Sequence, residues 1–217
     1  LFRIEWSKLV KYRPFIWLTL SYLVMTPGLM LFLDGFNLDF FGITLERIYV
    51  FPQGWNSVTW MASWFHILLG IIIVIFISNE YSNRMVRQHI IDGLTRKEFY
   101  VSKVLMIAVM SITATLYTAI LAIIGSVVYS GGVDNFMDGI EYLPIFLFQT
   151  FGYLSIAMVF AFLLRKSGYA ILIYLGVIFG EFILRSILGA NVSPWLQVFS
   201  PIAMISNLTR LPFFQEI

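Results

Sequence analysis

The sequence predicts an all-α, polytopic membrane protein, and three observations carry that prediction. Of its 217 residues, 59% are hydrophobic and only 12% are charged. That is about half the charge of an average soluble domain, which carries roughly 25%; in water such a chain would expose large apolar patches and aggregate. The apolar residues fall in long runs almost free of charge. Those runs lack the period-two alternation of membrane β-strands, which leaves helices as the spanning form.

Taken in order, residues 1–13 come first. Phe2, Trp6, Leu9 and Val10 share one helical face, with Arg3, Lys8 and Lys11 towards the other. This is the pattern of a helix lying in the headgroup plane, and a plain basic flank that sets topology is the alternative. Pro14 suits a helix start. A crossing needs about 20 mostly apolar residues, because each rises about 1.5 Å. Residues 14–33 meet that length without a charge, and residues 57–78 hold only His66 as an ionisable group. Residues 104–128 and 142–164 are uncharged, and 167–187 contain Glu181 and Arg185. Five spans are therefore expected in one transmembrane domain. The stretch 189–217 is broken by Pro194, Pro201 and Pro212. It reads as an extracytoplasmic tail, interfacial or partly re-entrant, with a sixth span expected beyond Ile217.

Lysines and arginines set the orientation. Four precede the first span, five lie between the second and third, and Arg165 and Lys166 join the fourth to the fifth. By the positive-inside rule these segments and the N-terminus are cytoplasmic, in a multi-pass protein of the cell (cytoplasmic or inner) membrane.

The connector 79–103 carries helix signals. Glu80 and Arg84 form an i,i+4 ion pair in the favoured order, and Val86 with Ile90 an apolar pair. Gly93 supplies a helix stop. Thr95 and Glu98 then have capping-box spacing, which starts a fresh helix running into the third span. Met85, Val86, Ile90, Ile91 and Leu94 form an apolar stripe with no lipid to cover. That stripe suits a groove on a partner protein; a solvated, topology-setting loop is the bland alternative.

Glu80 after the second span, Arg87-Gln88, Gly93-Leu94-Thr95-Arg96 and Lys103 entering the third span, together with the span order, resemble the type-2 ABC exporter permeases. The chain departs from that family in showing five spans where six are typical, and in placing Asp92 before Gly93. The resemblance implies half of a dimeric pore, paired with a second permease subunit as a homo- or heterodimer. It also implies a separate cytoplasmic ABC ATPase subunit. Residues 80–92 would be the coupling helix seated in that ATPase, with Glu80, Arg84, Arg87, Ile90, Gly93, Thr95 and Arg96 at the contact. ATP and Mg would sit on the partner, and no cofactor or nucleic acid on this chain. The sequence has no GxxxxGK[ST] phosphate loop. The apolar interior, with 21 Phe, suggests a lipid-like cargo or an amphipathic peptide or antibiotic.

The polar groups within spans have two readings each. Glu181 and Arg185, one turn apart, either neutralise each other or line a pathway. His66 is either a hydrogen-bonded packing residue or a ligand, and with no HExxH a metal site has no support. Ser111, Thr113, Thr115 and Thr118 bond to backbone or across helices. Gly176 and Gly180 permit a close helix contact inside the subunit or at a dimer interface. Trp17, Trp55, Trp60, Trp64 and Trp195 suit membrane-boundary anchors. A membrane-embedded enzyme is a rival, against which no span pair offers two carboxylates, a histidine cluster or a Ser/His/Asp set. A non-transporting membrane scaffold subunit is another.

Overall fold

The structure, a computed structural model, describes residues 12–34, 48–82, 95–130, 132, 134–188, 205 and 208. Those residues form six helices and no strand: α1 (Arg13–Asp34), α2 (Gln53–Ser63), α3 (His66–Ser82), α4 (Arg96–Ser130), α5 (Tyr142–Leu164) and α6 (Ser167–Leu188). Four stretches are long and apolar enough to cross a membrane: Arg13–Leu33, Arg96–Tyr129, Tyr142–Leu164 and Ser167–Leu184. The pair α2–α3 makes a fifth if its two parts, bent by 43°, are one span.

The expected span 57–78 is thus broken at Trp64-Phe65, without proline or glycine at the break. The halves have different neighbours. α2 packs on α4, α5 and the end of α1, whereas α3 packs chiefly on α5 and also on α1 and α6. Two apolar cores result. One joins α3 to the first half of α4, the second half of α5, and α6, around residues such as Ile73, Ile77, Met106, Ala157 and Tyr174. The other joins α2 to the end of α1 and the second half of α4, around Tyr49, Trp55, Met61 and Ala122. Gly70 is fixed by close approach in the first core: a Cβ there would overlap the Tyr174 ring.

Pro14 lies in the first turn of α1, where its missing N–H has no consequence. Pro27 lies inside α1 and removes the amide that would bond the Leu23 carbonyl. In lipid an orphan carbonyl is costly. The Tyr117 hydroxyl of α4 donates to it at 2.5 Å, so the carbonyl freed by the proline is taken up by a neighbouring helix. The outer side of α1 is apolar and exposed, as at Trp17 (67%) and Phe32 (60%), which suits a lipid-facing surface.

At the end of the bundle away from most basic residues, the α4–α5 loop folds over α2. Trp55 Nε1 donates to the Phe136 carbonyl at 2.9 Å, and the rings of Phe51, Trp55 and Phe136 pack together with centroids 4.7–5.6 Å apart. Gly139 has φ +83°, and a Cβ there would press on the Pro52 carbonyl. Trp55 is therefore core rather than a boundary anchor, being 1% exposed. Trp17 and Trp64 are exposed. Gly176 and Gly180 meet nothing within 4 Å, so no packing inside the described chain uses that face. Ile205 lies so close to Gly152, about midway along α5, that a Cβ there would overlap it. Ile205 therefore packs against α5 at the first core.

Candidate functional site at the basic end of the bundle

The end bearing Arg13, Arg96, Lys97, Arg165 and Lys166 gathers the ends of α1, α3, α4, α5 and α6. α4 is 35 residues long, about 52 Å at 1.5 Å per residue. A hydrocarbon core is about 30 Å thick, so α4 outruns it. The charged turns Arg96–Lys103 make up about 12 Å of that length at this end.

Thr95 starts α4 as its spacing with Glu98 predicts. The Thr95 amide and hydroxyl donate to Glu98 Oε2 at 2.9 and 2.8 Å, and the Glu98 amide donates back to Thr95 Oγ1 at 3.3 Å. Local sequence alone determines this start. Thr95→Ala is expected to cost about 1 kcal/mol of helix-end stability, seen as faster hydrogen exchange at the first-turn amides of α4. Thr95→Ser is expected to keep the slow exchange.

Just inside that start, Lys103 Nζ meets Glu80 Oε2 at 2.6 Å. Lys103 is fully buried and Glu80 is 3% exposed. The ammonium sits 4.7 Å from the Phe76 ring centroid and 5.0 Å from that of Phe99, so cation–π attraction adds to the ion pair. The ammonium is thereby flanked by Phe99, one turn earlier on its own helix, and by Phe76, one turn before Glu80. The α3 and α4 backbones hardly approach each other; here the long side chains span the gap.

A second layer ties in α5. Tyr81, Phe99, Tyr100 and Phe162 stack edge-on or tilted, with centroids 5.0–6.4 Å apart. Arg165 closes α5 in the left-handed region, φ 54°, and its guanidinium lies 5.7 Å from the Tyr81 ring. Ser82 Oγ donates to the Arg165 carbonyl at 3.2 Å. Asn79 Nδ2 donates to Tyr12 Oη at 2.5 Å, which ties in the start of α1. The end of α3 is thus bonded or stacked to α1, α4 and α5.

Of the residues singled out from sequence, Arg84, Arg87, Ile90 and Gly93 lie outside the described residues. Thr95 and Arg96 are exposed on the first turn of α4. Glu80 is not on the surface: its carboxylate faces Lys103 across helices, where the sequence suggested Arg84 along one helix. His66 lies elsewhere, fully buried at the α2–α3 break. Its Nε2 is 2.9 Å from Thr150 Oγ1, which donates to the Phe146 carbonyl at 2.8 Å. The imidazole tautomer sets the direction of that bond, and the ring lies between those of Phe146 and Tyr153. Glu181 is half-buried on α6, and the Arg185 side chain lies outside the described set. Sequence reasoning quoted Lys103 without seeing its burial, and missed Phe76, Phe99, Tyr81 and Phe162. The signal was present in two matching spacings, Phe76 to Glu80 and Phe99 to Lys103, each an i,i+4 pair.

Residues 1–182 match the family described as ABC-2 family transporter protein. Comparison with curated proteins and with solved structures gave no significant match. The matched region reaches from the start of the chain into α6 and contains the whole joint at the basic end. Together with helices of membrane-crossing length, it shows that this chain belongs to the ABC-2 family of transporter proteins and is a multi-pass membrane permease of the ABC transporter type.

Proposed function

We propose that the chain is the membrane-spanning subunit of an ATP-driven exporter, paired with a second permease subunit. A separate cytoplasmic ABC ATPase drives it through residues 79–103. The basic end is then the cytoplasmic one, and the cargo is lipid-like or an amphipathic peptide or antibiotic.

The observation that carries this reading is the joint at the basic end. The connector 79–103 runs between α3 and α4, and those two helices are held together at its two ends by Glu80 and Lys103. A push on the connector therefore displaces α3 and α4 as a unit, and the ring layer passes the displacement to α5. The cores of the two halves would then switch between packings, the usual form of such transitions. On this reading Arg96, exposed on the first turn of α4, meets an acidic partner groove, as does Arg87, which lies beyond the described residues.

Charge reversal tests it. With Arg87→Glu and Arg96→Glu combined, recovery of the ABC ATPase with the affinity-purified chain is expected to fall by more than about tenfold, because like charges across an interface cost several kcal/mol. Undiminished recovery would overturn coupling through this segment. Stimulation of the partner's ATP hydrolysis by a candidate cargo separates a transporter from a scaffold.

A further inference from the structure

α5 runs almost directly into α6. Leu164 ends the first helix and Ser167 begins the second, so Arg165 and Lys166 alone make the turn. The helices have 23 and 22 residues, about 34 and 33 Å at 1.5 Å per residue. Against a hydrocarbon core about 30 Å thick, helices of that length leave the turn between them no room to rise far into water. Its two cations are held at headgroup depth.

Both side chains are exposed, and neither meets a carboxylate among the described residues. The two described acids at this end are engaged elsewhere, Glu80 with Lys103 and Glu98 with Thr95. Arg165 and Lys166 lie instead beside rings, 5.7 Å from the centroid of Tyr81 and 5.9 Å from that of Tyr169. An aromatic face positions a cation without neutralising it. The backbone of Arg165 is also fixed: its amide donates to the Ala161 carbonyl at 3.2 Å, and its carbonyl accepts the Ser82 hydroxyl at 3.2 Å. On the flanking turns of the two helices, Leu163, Tyr169 and Leu172 are exposed.

An occupant of this surface must bring negative charge to the turn and hydrocarbon to the helices beside it. An acidic protein surface supplies only the first. A zwitterionic lipid supplies the second, but its headgroup carries a cation of its own. A lipid with a net negative headgroup supplies both, and basic sites between membrane helices suit such headgroups.

We propose that the α5–α6 turn binds an anionic phospholipid, with its phosphate against Arg165 and Lys166 and its acyl chains along Leu163 and Leu172. The site holds whether or not the chain couples to an ATPase.

The protein is reconstituted in phosphatidylcholine vesicles with a trace of one of two photoreactive lipids. One is a phosphatidylglycerol and the other a phosphatidylcholine, each with a diazirine on the same acyl carbon near the glycerol. Labelled peptides are then mapped. Phosphatidylglycerol is expected to label residues 163–172 more than phosphatidylcholine by more than about tenfold, since each basic residue at an anionic headgroup contributes about fivefold. Around Phe148 and Phe182, exposed towards the other ends of α5 and α6, the two are expected to label equally. Arg165→Gln with Lys166→Gln is expected to abolish the preference, and Arg96→Gln with Lys97→Gln to leave it. Equal labelling of 163–172 in the unaltered protein overturns the proposal and needs no variant to fold. A preference lost only with the α4 pair overturns it too, since it then reports the general charge of this end. With the ABC ATPase bound, the preference is expected to persist; its loss there would give the turn to the protein partner and overturn the lipid as occupant.

Discussion

Lys103→Met is expected to lower the unfolding free energy by about 3–5 kcal/mol, since it leaves the buried Glu80 carboxylate without its ammonium. Against a total stability on the order of 5–15 kcal/mol, such a loss is a large fraction of the whole. Purified protein in detergent should therefore aggregate at a clearly lower temperature. Glu80→Gln alone is expected to do comparable harm, by stranding the ammonium between Phe76 and Phe99. The two changes together should recover most of the loss, because a buried ion pair replaced by apolar or neutral groups is often close to neutral. A double-mutant cycle thus separates attraction within the pair from the penalty of an unpaired buried charge. If the double variant were no more stable than the singles, the pair would not be the unit that holds α3 to α4. Under the proposed coupling, the folded double variant would also transmit ATPase motion poorly, since neutral side chains tie the helices less firmly.

The second large effect is expected at the other end. Trp55→Ala should cost about 3–5 kcal/mol, the range for removing a buried aromatic ring. The substitution empties the space between Phe51 and Phe136 and frees the Phe136 carbonyl from its 2.9 Å bond. Trp55→Phe keeps most of the ring volume and loses the N–H, so its cost should be closer to about 1 kcal/mol. Hydrogen exchange locates the damage. Amides of 134–141 should lose protection in Trp55→Ala, while those around Lys103 change little, because the two cores use different parts of α4. Loss of protection at both ends alike would mean that the bundle has one core.

Much of this architecture is legible in the amino-acid sequence, for identifiable reasons. α1, α4, α5 and α6 could be read because a crossing length of mostly apolar residues leaves one spanning form open to a chain. The start of α4 could be read because Thr95 and Glu98 satisfy each other within a single turn. What could not be read depends on register between separate helices. Glu80 and Lys103 lie on different helices, and only their packing decides that they meet. The break at Trp64-Phe65 has no local marker, and its surroundings come from distant residues: Thr150 bonds His66, and Tyr174 presses on Gly70. Tyr117 likewise reaches the carbonyl freed by Pro27 from another helix.

That break has a thermodynamic corollary. Three amides across it stay bonded: Trp64, Phe65 and Leu68 donate to Met61, Ala62 and Phe65 at 3.3, 3.1 and 3.0 Å. Each is a three-residue step, the tighter winding found at helix ends. Exchanging such steps for four-residue ones changes the angle of a rod while these three N–H groups keep an acceptor. Flexure at this break therefore carries little enthalpic penalty at those amides, even where no water is available to solvate a broken one.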